Sequence, residues 1–224
     1  MNEIFKNIQN AKHIEIIVEA DFMGSASALY TYILTLHKKV SMTCKAENID
    51  KKFSFLPWFE KIKSSDTPSA DLSIVCDFSA KSLFEVFQIN EIKLNKKMAT
   101  ALYGALVYET QGFTKGIDGT IFAMAEVLVA CGAEHLLCTR ALLQSTSLAF
   151  LRLQSVMLKS MLLQNSAKAA VFNICEDELK ATGANKKDAY EVMQEAFKLE
   201  YVEMVVLLDS DHEYEIIKVK YKEK

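Results

Sequence analysis

Residues 13–36 read HIEIIVEADFMGSASALYTYILTL, and this stretch decides the fold class. Residues 13–18 are rich in β-branched side chains, which predicts a strand, and after a short turn residues 26–36 have the pattern of a helix. Residues 40–44 predict a second strand and residues 70–77 (ADLSIVCD) a third. The run LSIVC is almost wholly apolar, as in parallel strands that are covered on both faces. The sequence therefore predicts an α/β protein whose parallel sheet carries helices on both faces.

The rest of the chain divides into a helical part and a second α/β part. Helices are predicted at 80–87, 97–109, 120–131 and 147–163. A second, smaller α/β unit is then predicted, with strands at 169–174, 202–208 and 215–221 and a helix at 186–199. We therefore expect two domains, residues 1–164 and residues 165–224.

Composition narrows the classes of function. The chain has 224 residues, with 26 basic and 29 acidic side chains and a net charge of −3, so no broad positive surface is expected for long DNA or RNA. No apolar run has the length of a signal peptide or a membrane span, which predicts a cytoplasmic protein without membrane insertion. The five cysteines are scattered and form no C-x-x-C pair, so neither a zinc site nor a disulfide framework is expected.

Three motifs carry a resemblance to a known family. They are VEADFMGSASALY at 18–30, DLSIVCD at 71–77 and ALYGALVYETQGF at 101–113. In order and spacing they resemble the DHH phosphoesterase family of the nanoRNase and phosphoadenosine-phosphate phosphatase type. The resemblance implies a DHH-like α/β domain over residues 1–164 and a DHH-associated C-terminal domain over residues 165–224.

The resemblance also implies a set of candidate site residues. Carboxylates at the family's metal-binding positions would be Glu19, Asp21, Asp77 and Glu109, and Glu15 stands where the family has a metal-binding histidine. Gly24 and Ser25 match the family's Gly-Ser at the start of the first helix. The four carboxylates would meet at the ends of parallel strands, the usual place for a site in such a sheet. Their oxygen atoms would suit manganese or magnesium.

Departures from the family pattern are as informative as the matches. The Asp-His-His segment, expected between Asp77 and Leu102, is absent, and so is the C-terminal Gly-Gly-Gly-His segment that holds substrate. The resemblance therefore implies a degenerate active site and a truncated C-terminal domain. No histidine lies at a family ligand position, and we expect His13 and His37 to be surface residues.

Two interpretations of the carboxylates remain open. In one, they bind a metal ion; in the other, Asp21 caps the helix at Gly24, Asp77 ends a strand, and Glu15 and Glu19 face solvent. The leading functional hypothesis is a non-catalytic interaction or structural protein without a cofactor, which binds a protein partner or a second copy through an open sheet edge. The alternatives are a residual manganese- or magnesium-dependent phosphoesterase, acting on short oligonucleotides or phosphoadenosine phosphate, and a nucleotide-binding protein.

Overall fold

Two compact units make up the chain, Met1–Ser145 and Thr146–Lys224. The computed structural model describes residues 2–45, 49–65 and 69–222. The second unit begins earlier than the predicted boundary after residue 164. Leu153 and Met157, from the long helix that precedes this boundary, pack in one apolar cluster with Phe172 of the second unit.

A four-stranded parallel sheet forms the centre of the first unit, in the order β3-β2-β1-β4. The strands are β1 (His13–Val18), β2 (Lys39–Thr43), β3 (Ile62–Lys63) and β4 (Leu72–Cys76). The first and third of the expected strands are neighbours, with Ile14 opposite Leu72 and Val18 opposite Cys76 in a parallel register. Strand β1 is therefore central, with β2 on one side and β4 on the other.

Helices flank this sheet. They are α1 (Asn2–Asn10), α2 (Met23–Thr35), α3 (Ala80–Ile89), α4 (Lys96–Glu109), α5 (Gly119–Ala130) and α6 (His135–Thr139). Three of them start at a side-chain cap: Ser79, Asn95 and Asp118 each accept a hydrogen bond from a backbone N–H of the first turn. The predicted fold class, a parallel sheet covered by helices, is confirmed.

Helix α2 is the most deeply buried helix, and every residue from Met23 to Ile33 is buried. It packs against α4 at Gly24, where a Cβ atom would lie only 2.6 Å from the Cβ atom of Ala105. Close contact at this glycine brings the start of α2, just after β1, next to the C-terminal half of α4. The two segments that carry the candidate site are thereby held together.

The second unit has a sheet in the order β5-β6-β7-β8. Its elements are α7 (Leu148–Ser160), β5 (Leu162–Gln164), β6 (Ala169–Ile174), α8 (Glu176–Thr182), α9 (Lys186–Gln194), β7 (Met204–Asp209) and β8 (Glu215–Tyr221). Strands β6 and β7 are parallel, and the two outer pairs are antiparallel. The predicted second sheet is confirmed. The predicted helix 147–163 is too long, because it ends at Ser160 and Leu162–Gln164 form β5 by pairing with β6. Helix α8 is an addition that the sequence pattern did not indicate.

The two histidines near β1 differ in exposure. His37 follows α2 and is exposed, as predicted. The prediction for His13 is wrong, because this residue is the first of β1 and is buried. Its ring lies 3.0 Å from the carbonyl oxygen of Ser69 and 3.4 Å from the hydroxyl of Ser41, so polar neighbours on both sides take the place of water.

No helix within residues 2–45, 49–65 and 69–222 has the length and apolar character that a membrane span requires.

Candidate functional site

A cavity of about 520 Å³ in the first unit contains two of the four predicted carboxylates. Its lining residues are Asp21, Phe22, Lys52, Tyr108, Glu109, Gln111, Leu142 and Leu143. Asp21 lies in the short 3-10 turn Ala20–Phe22 that follows β1, and Glu109 is the last residue of α4. The cavity is therefore formed where the loop after β1 meets the end of α4.

The Asp21 carboxylate accepts a hydrogen bond of 2.8 Å from the hydroxyl of Tyr108. The prediction that Asp21 caps the following helix is wrong: the residue at the start of α2 is Phe22, and no side chain caps this helix. Asp21 instead belongs to the preceding turn, from which its carboxylate reaches across to α4. This bond ties the loop after β1 to the end of α4.

A lysine ammonium group shares the cavity with these carboxylates. The Nζ atom of Lys52 lies 4.9 Å from the centre of the Tyr108 ring and 5.3 Å from that of Phe53, which are cation–π distances. The same ammonium group is 3.1 Å from Asp50. Neither Lys52 nor Tyr108 was predicted as a site residue, and only the position of Lys52 next to Phe53 in the sequence could have suggested this contact.

The Glu109 carboxylate accepts a hydrogen bond of 2.9 Å from the backbone N–H of Ala80, the first residue of α3. It therefore satisfies a donor that the helix cannot satisfy internally. The residue as a whole is exposed, but its carboxyl group is partly buried. This burial raises the pKa of Glu109, and the hydrogen bond from the N–H of Ala80 lowers it in part. Glu109 thus joins the end of α4 to the start of α3.

Glu19 and Asp77 are exposed and are not among the residues that line the cavity. Glu19 ends the extended segment after β1, and its carbonyl oxygen accepts a hydrogen bond of 3.0 Å from the N–H of Phe22. Asp77 follows β4 directly. Burial raises the pKa of the neighbouring Cys76 thiol to about 12, and the charges of Asp77 and Glu109 add to this rise.

The expectation that Glu15 faces solvent is wrong, because this residue is only 4% exposed. Its two carboxylate oxygens lie 3.4 Å from the Thr43 hydroxyl and 3.3 Å from the Ser73 hydroxyl, and both hydroxyls donate to it. Since β1 has a strand on each side, the side chain is almost wholly withdrawn from solvent. A polar row across β2, β1 and β4 therefore satisfies this carboxylate.

The described residues do not bring the predicted carboxylates together in one group of ligands. Among the residues that the structure describes, no three histidine, cysteine, aspartate or glutamate side chains form a group that could hold a metal ion. Asp21 and Glu109 share a cavity but are each engaged by a donor from the protein. We therefore derive no chemical step that uses a metal ion.

Comparisons with known proteins identify the fold. No protein-family model matches the chain, and no curated protein matches it. Among solved structures, an exopolyphosphatase-related protein from Bacteroides fragilis is similar with a TM-score of 0.77 at 15% identity, over 100% of this chain and 83% of that one. A putative family II inorganic pyrophosphatase from Methanococcus jannaschii, at 15% identity over 88% of this chain and 83% of that one, has a TM-score of 0.35, which is too low to support any inference.

The similarity to the exopolyphosphatase-related protein extends over both units of the chain. At 15% identity it establishes architecture and no activity. It agrees with the architecture that the three sequence motifs predict. The chain therefore shares the fold of this exopolyphosphatase-related protein.

Proposed function

We propose that this chain is a non-catalytic protein that has kept a DHH-type phosphoesterase fold and acts by binding protein. The observation that carries the proposal is the structural use of the two carboxylates in the cavity. Asp21 accepts a hydrogen bond from Tyr108, and Glu109 accepts one from the backbone of Ala80. Both acids hold loops and helix ends together.

The small number of side chains available to bind metal ions in the cavity supports the same proposal. Hydrolysis by two metal ions needs a pair held about 3.5–4 Å apart, so that one activates water while both stabilise the reacting oxygens. Glu19 and Asp77 do not line the cavity. Glu15, at the position of the family's histidine, is buried and accepts hydrogen bonds from two hydroxyl groups. The ammonium group of Lys52 offsets part of the negative charge of the two carboxylates in the cavity, which weakens the attraction of the cavity for a cation.

Exposed apolar side chains support a role in protein binding. On α5, Phe122, Val127 and Val129 are exposed although they are large and apolar. The Phe122 ring stacks on that of Phe113 at 5.8 Å, so the apolar surface continues beyond the helix. Exposed apolar surface of this kind is typical of interaction sites on proteins.

The proposal predicts that the purified chain does not hydrolyse its family's substrates. Dinucleotides, phosphoadenosine phosphate and a generic phosphodiester, each with manganese or magnesium, should give no more product than a blank with metal alone. Asp77→Ala is the site variant, and Asp177→Ala, an exposed aspartate of the second unit, is its matched control. Turnover that disappears in Asp77→Ala and persists in Asp177→Ala would contradict the proposal.

A second candidate function is binding of a phosphate-containing small molecule without cleavage. Lys52 favours it, because its ammonium group and the Tyr108 ring line a cavity large enough for such a ligand. The description of the similar protein as exopolyphosphatase-related is consistent with a phosphate ligand. Retention of intact phosphoadenosine phosphate by the chain in the same assay, and its loss in Lys52→Gln, would favour this candidate.

A further inference from the structure

The sheet of the second unit has one face that its helices do not use. Each of α7, α8 and α9 contributes to the apolar cluster that also contains Phe172, Val205 and Leu207. Because side chains alternate along a strand, the intervening residues lie on the opposite face. We call this opposite face the open face, and its residues are Leu162, Gln164, Ala169, Val171, Asn173, Met204, Val206, Leu208, Ile216, Val219 and Tyr221.

The open face is apolar across all four strands. Its cross-strand pairs include Met204 with Tyr221, Val206 with Val219 and Leu208 with Ile216. No charged side chain belongs to it, and Gln164 and Asn173 are its only polar residues. None of its residues is part of the helix-covered cluster. Its outer residues Leu162, Ile216 and Tyr221 are exposed, its central residues Met204, Val206 and Leu208 are half-buried, and Ala169 and Val171 on β6 are buried.

The β8 edge of the same sheet is less suited to binding than the face. Strand β8 carries a bulge, because Leu207 pairs with Lys218 while Leu208 pairs with Ile216, so that Ile217 is an extra residue. Lys218 and Lys220 also stand on this strand, and Lys220 donates a hydrogen bond of 2.6 Å to the side chain of Gln194. Bulges and lysines on an outer strand are devices that prevent pairing with another chain.

Charges at the two ends of the open face differ. The turn from β7 to β8 is acidic, with carboxylates at Asp209, Asp211, Glu213 and Glu215. The other end carries the amines of Lys168 and Lys222, with Glu203 at 2.9 Å from Lys168. Consider two copies packed with their open faces together. A two-fold axis that lies between the sheets and perpendicular to the strands would place the acidic end of one copy over the basic end of the other. An axis along the strands would instead place the two acidic ends together, which like-charge repulsion disfavours.

We propose that the open face is the contact surface between two copies of this chain, packed face to face with their strands antiparallel. In this arrangement Val206 lies over Val206 of the second copy, and Ile216 lies over its Tyr221. Aligned packing of two sheets about 10 Å apart is a common arrangement, in which apolar side chains from both inner faces interdigitate.

The size of the face sets the expected strength of the dimer. Strands about 4.8 Å apart, with about six residues rising 3.3 Å each, give a face of roughly 19 by 20 Å, or about 400 Å² in projection. Standard interfaces bury about 800 Å² on each partner, so this contact belongs with the small, reversible ones. We expect a dimer with a dissociation constant on the order of 10 µM.

Sedimentation equilibrium of the full chain, from about 1 µM to about 200 µM, tests the proposal. Ile216→Lys places a charge on the open face and should raise the dissociation constant at least ~10-fold. The matched control is Ile89→Lys on α3, because Ile89 is 69% exposed and Ile216 is 62% exposed. Val219→Lys is a second variant on the same strand and face, and circular dichroism of each variant reports whether it is folded.

A double variant tests the orientation of the two copies. Residues 216 and 221 lie on one strand too far apart to touch each other within one chain, but the antiparallel arrangement brings them together between copies. Adding Tyr221→Glu to Ile216→Lys should therefore restore part of the lost association. Loss of association with no recovery in the double variant would contradict the antiparallel arrangement.

This inference rests on the proposed role in protein binding and names a second copy as the partner. Its failure is separable from failure of that proposal. A chain that stays monomeric at every concentration, or a dimer that Ile216→Lys and Val219→Lys leave intact, would overturn the open-face contact. Hydrolysis that depends on Asp77 would overturn the non-catalytic role and would leave the sedimentation result unchanged.

Discussion

Gly24 is the residue at which α2 and α4 come closest. An added Cβ atom would lie 2.6 Å from the Cβ atom of Ala105 and 2.8 Å from the carbonyl oxygen of Ala101, and the latter belongs to backbone that cannot move aside. We predict that Gly24→Ala lowers the free energy of unfolding by about 1–3 kcal/mol, as expected for overpacking. Chemical denaturation followed by circular dichroism measures the change.

Gly119→Ala is the matched control for this prediction. Gly119 is the first residue of α5, and a Cβ atom there would meet nothing within 4 Å. Alanine also restricts the unfolded chain more than glycine does, so this variant should be neutral or up to about 1 kcal/mol more stable. Equal destabilisation by both substitutions would show that close helix packing is not the reason for Gly24.

Asp71, which accepts hydrogen bonds at the start of β1, makes the stability of the fold depend on pH. Hydrogen bonds from the backbone N–H groups of Lys12 and His13, at 2.9 and 2.8 Å, hold the pKa of this carboxyl below its usual value. A carboxyl whose pKa is lower in the folded protein stabilises the fold above its unfolded pKa of about 3.9. That stabilisation is lost as pH falls through the lower folded pKa.

We therefore predict that the difference in unfolding free energy between the native chain and Asp71→Asn is largest near neutral pH. It should shrink as the pH falls below about 4, because the native side chain then becomes protonated and resembles the amide. Urea denaturation at a series of pH values measures this difference. A difference that stays constant down to the acid limit would show that the backbone hydrogen bonds do not depend on the carboxylate charge.

At the scale of elements, β1, β2, β4 and α2 could be predicted because each has a strong local pattern. Short apolar, β-branched runs bounded by turns favour buried strands, and β1 and β4 are indeed neighbouring parallel strands. Strand β3 has two residues and β5 has three, which is too short for any periodicity. Their position is determined by tertiary pairing with β2 and β6.

Burial of Glu15 could not be predicted from the pattern of β1 alone. Within HIEIIV a single glutamate is equally compatible with a solvent-exposed face or with an internal polar row. The outcome depends on the strand order β3-β2-β1-β4, which places hydroxyl groups of Thr43 and Ser73 on either side of the carboxylate. Strand order is a property of the tertiary fold, and local sequence does not contain it.

The bulge in β8 could not be predicted from local sequence either, because it depends on strand pairing. Residues 215–221 alternate well enough to predict a strand, but the extra residue at Ile217 appears only when β8 is paired with β7. The bulge lets Ile217 pack against the helix-covered cluster while Ile216 stays on the open face. A regular register would have placed these two side chains differently, and the open face would have lost part of its outer row.

At the scale of the whole molecule, the motif matches predicted the fold better than they predicted the site. Of the four carboxylates they predicted to meet, Asp21 and Glu109 line one cavity, because the strand-turn-helix order around α2 and the end of α4 is part of the fold. They could not supply the hydrogen-bond partners of these acids. Tyr108 and the N–H of Ala80 engage the carboxylates, and Lys52 comes from a segment far away in sequence.

Titration of the chain with Mn²⁺, by isothermal calorimetry or by the loss of the free-ion electron paramagnetic resonance signal, tests the proposed non-catalytic role most directly. Because Asp21 and Glu109 are engaged by protein donors and no group of three ligands is assembled in the described residues, we predict only weak binding, with a dissociation constant above about 1 mM. Asp77→Ala should leave the titration unchanged. Stoichiometric binding of two ions per chain at micromolar concentration, abolished by Asp77→Ala, would contradict the non-catalytic role.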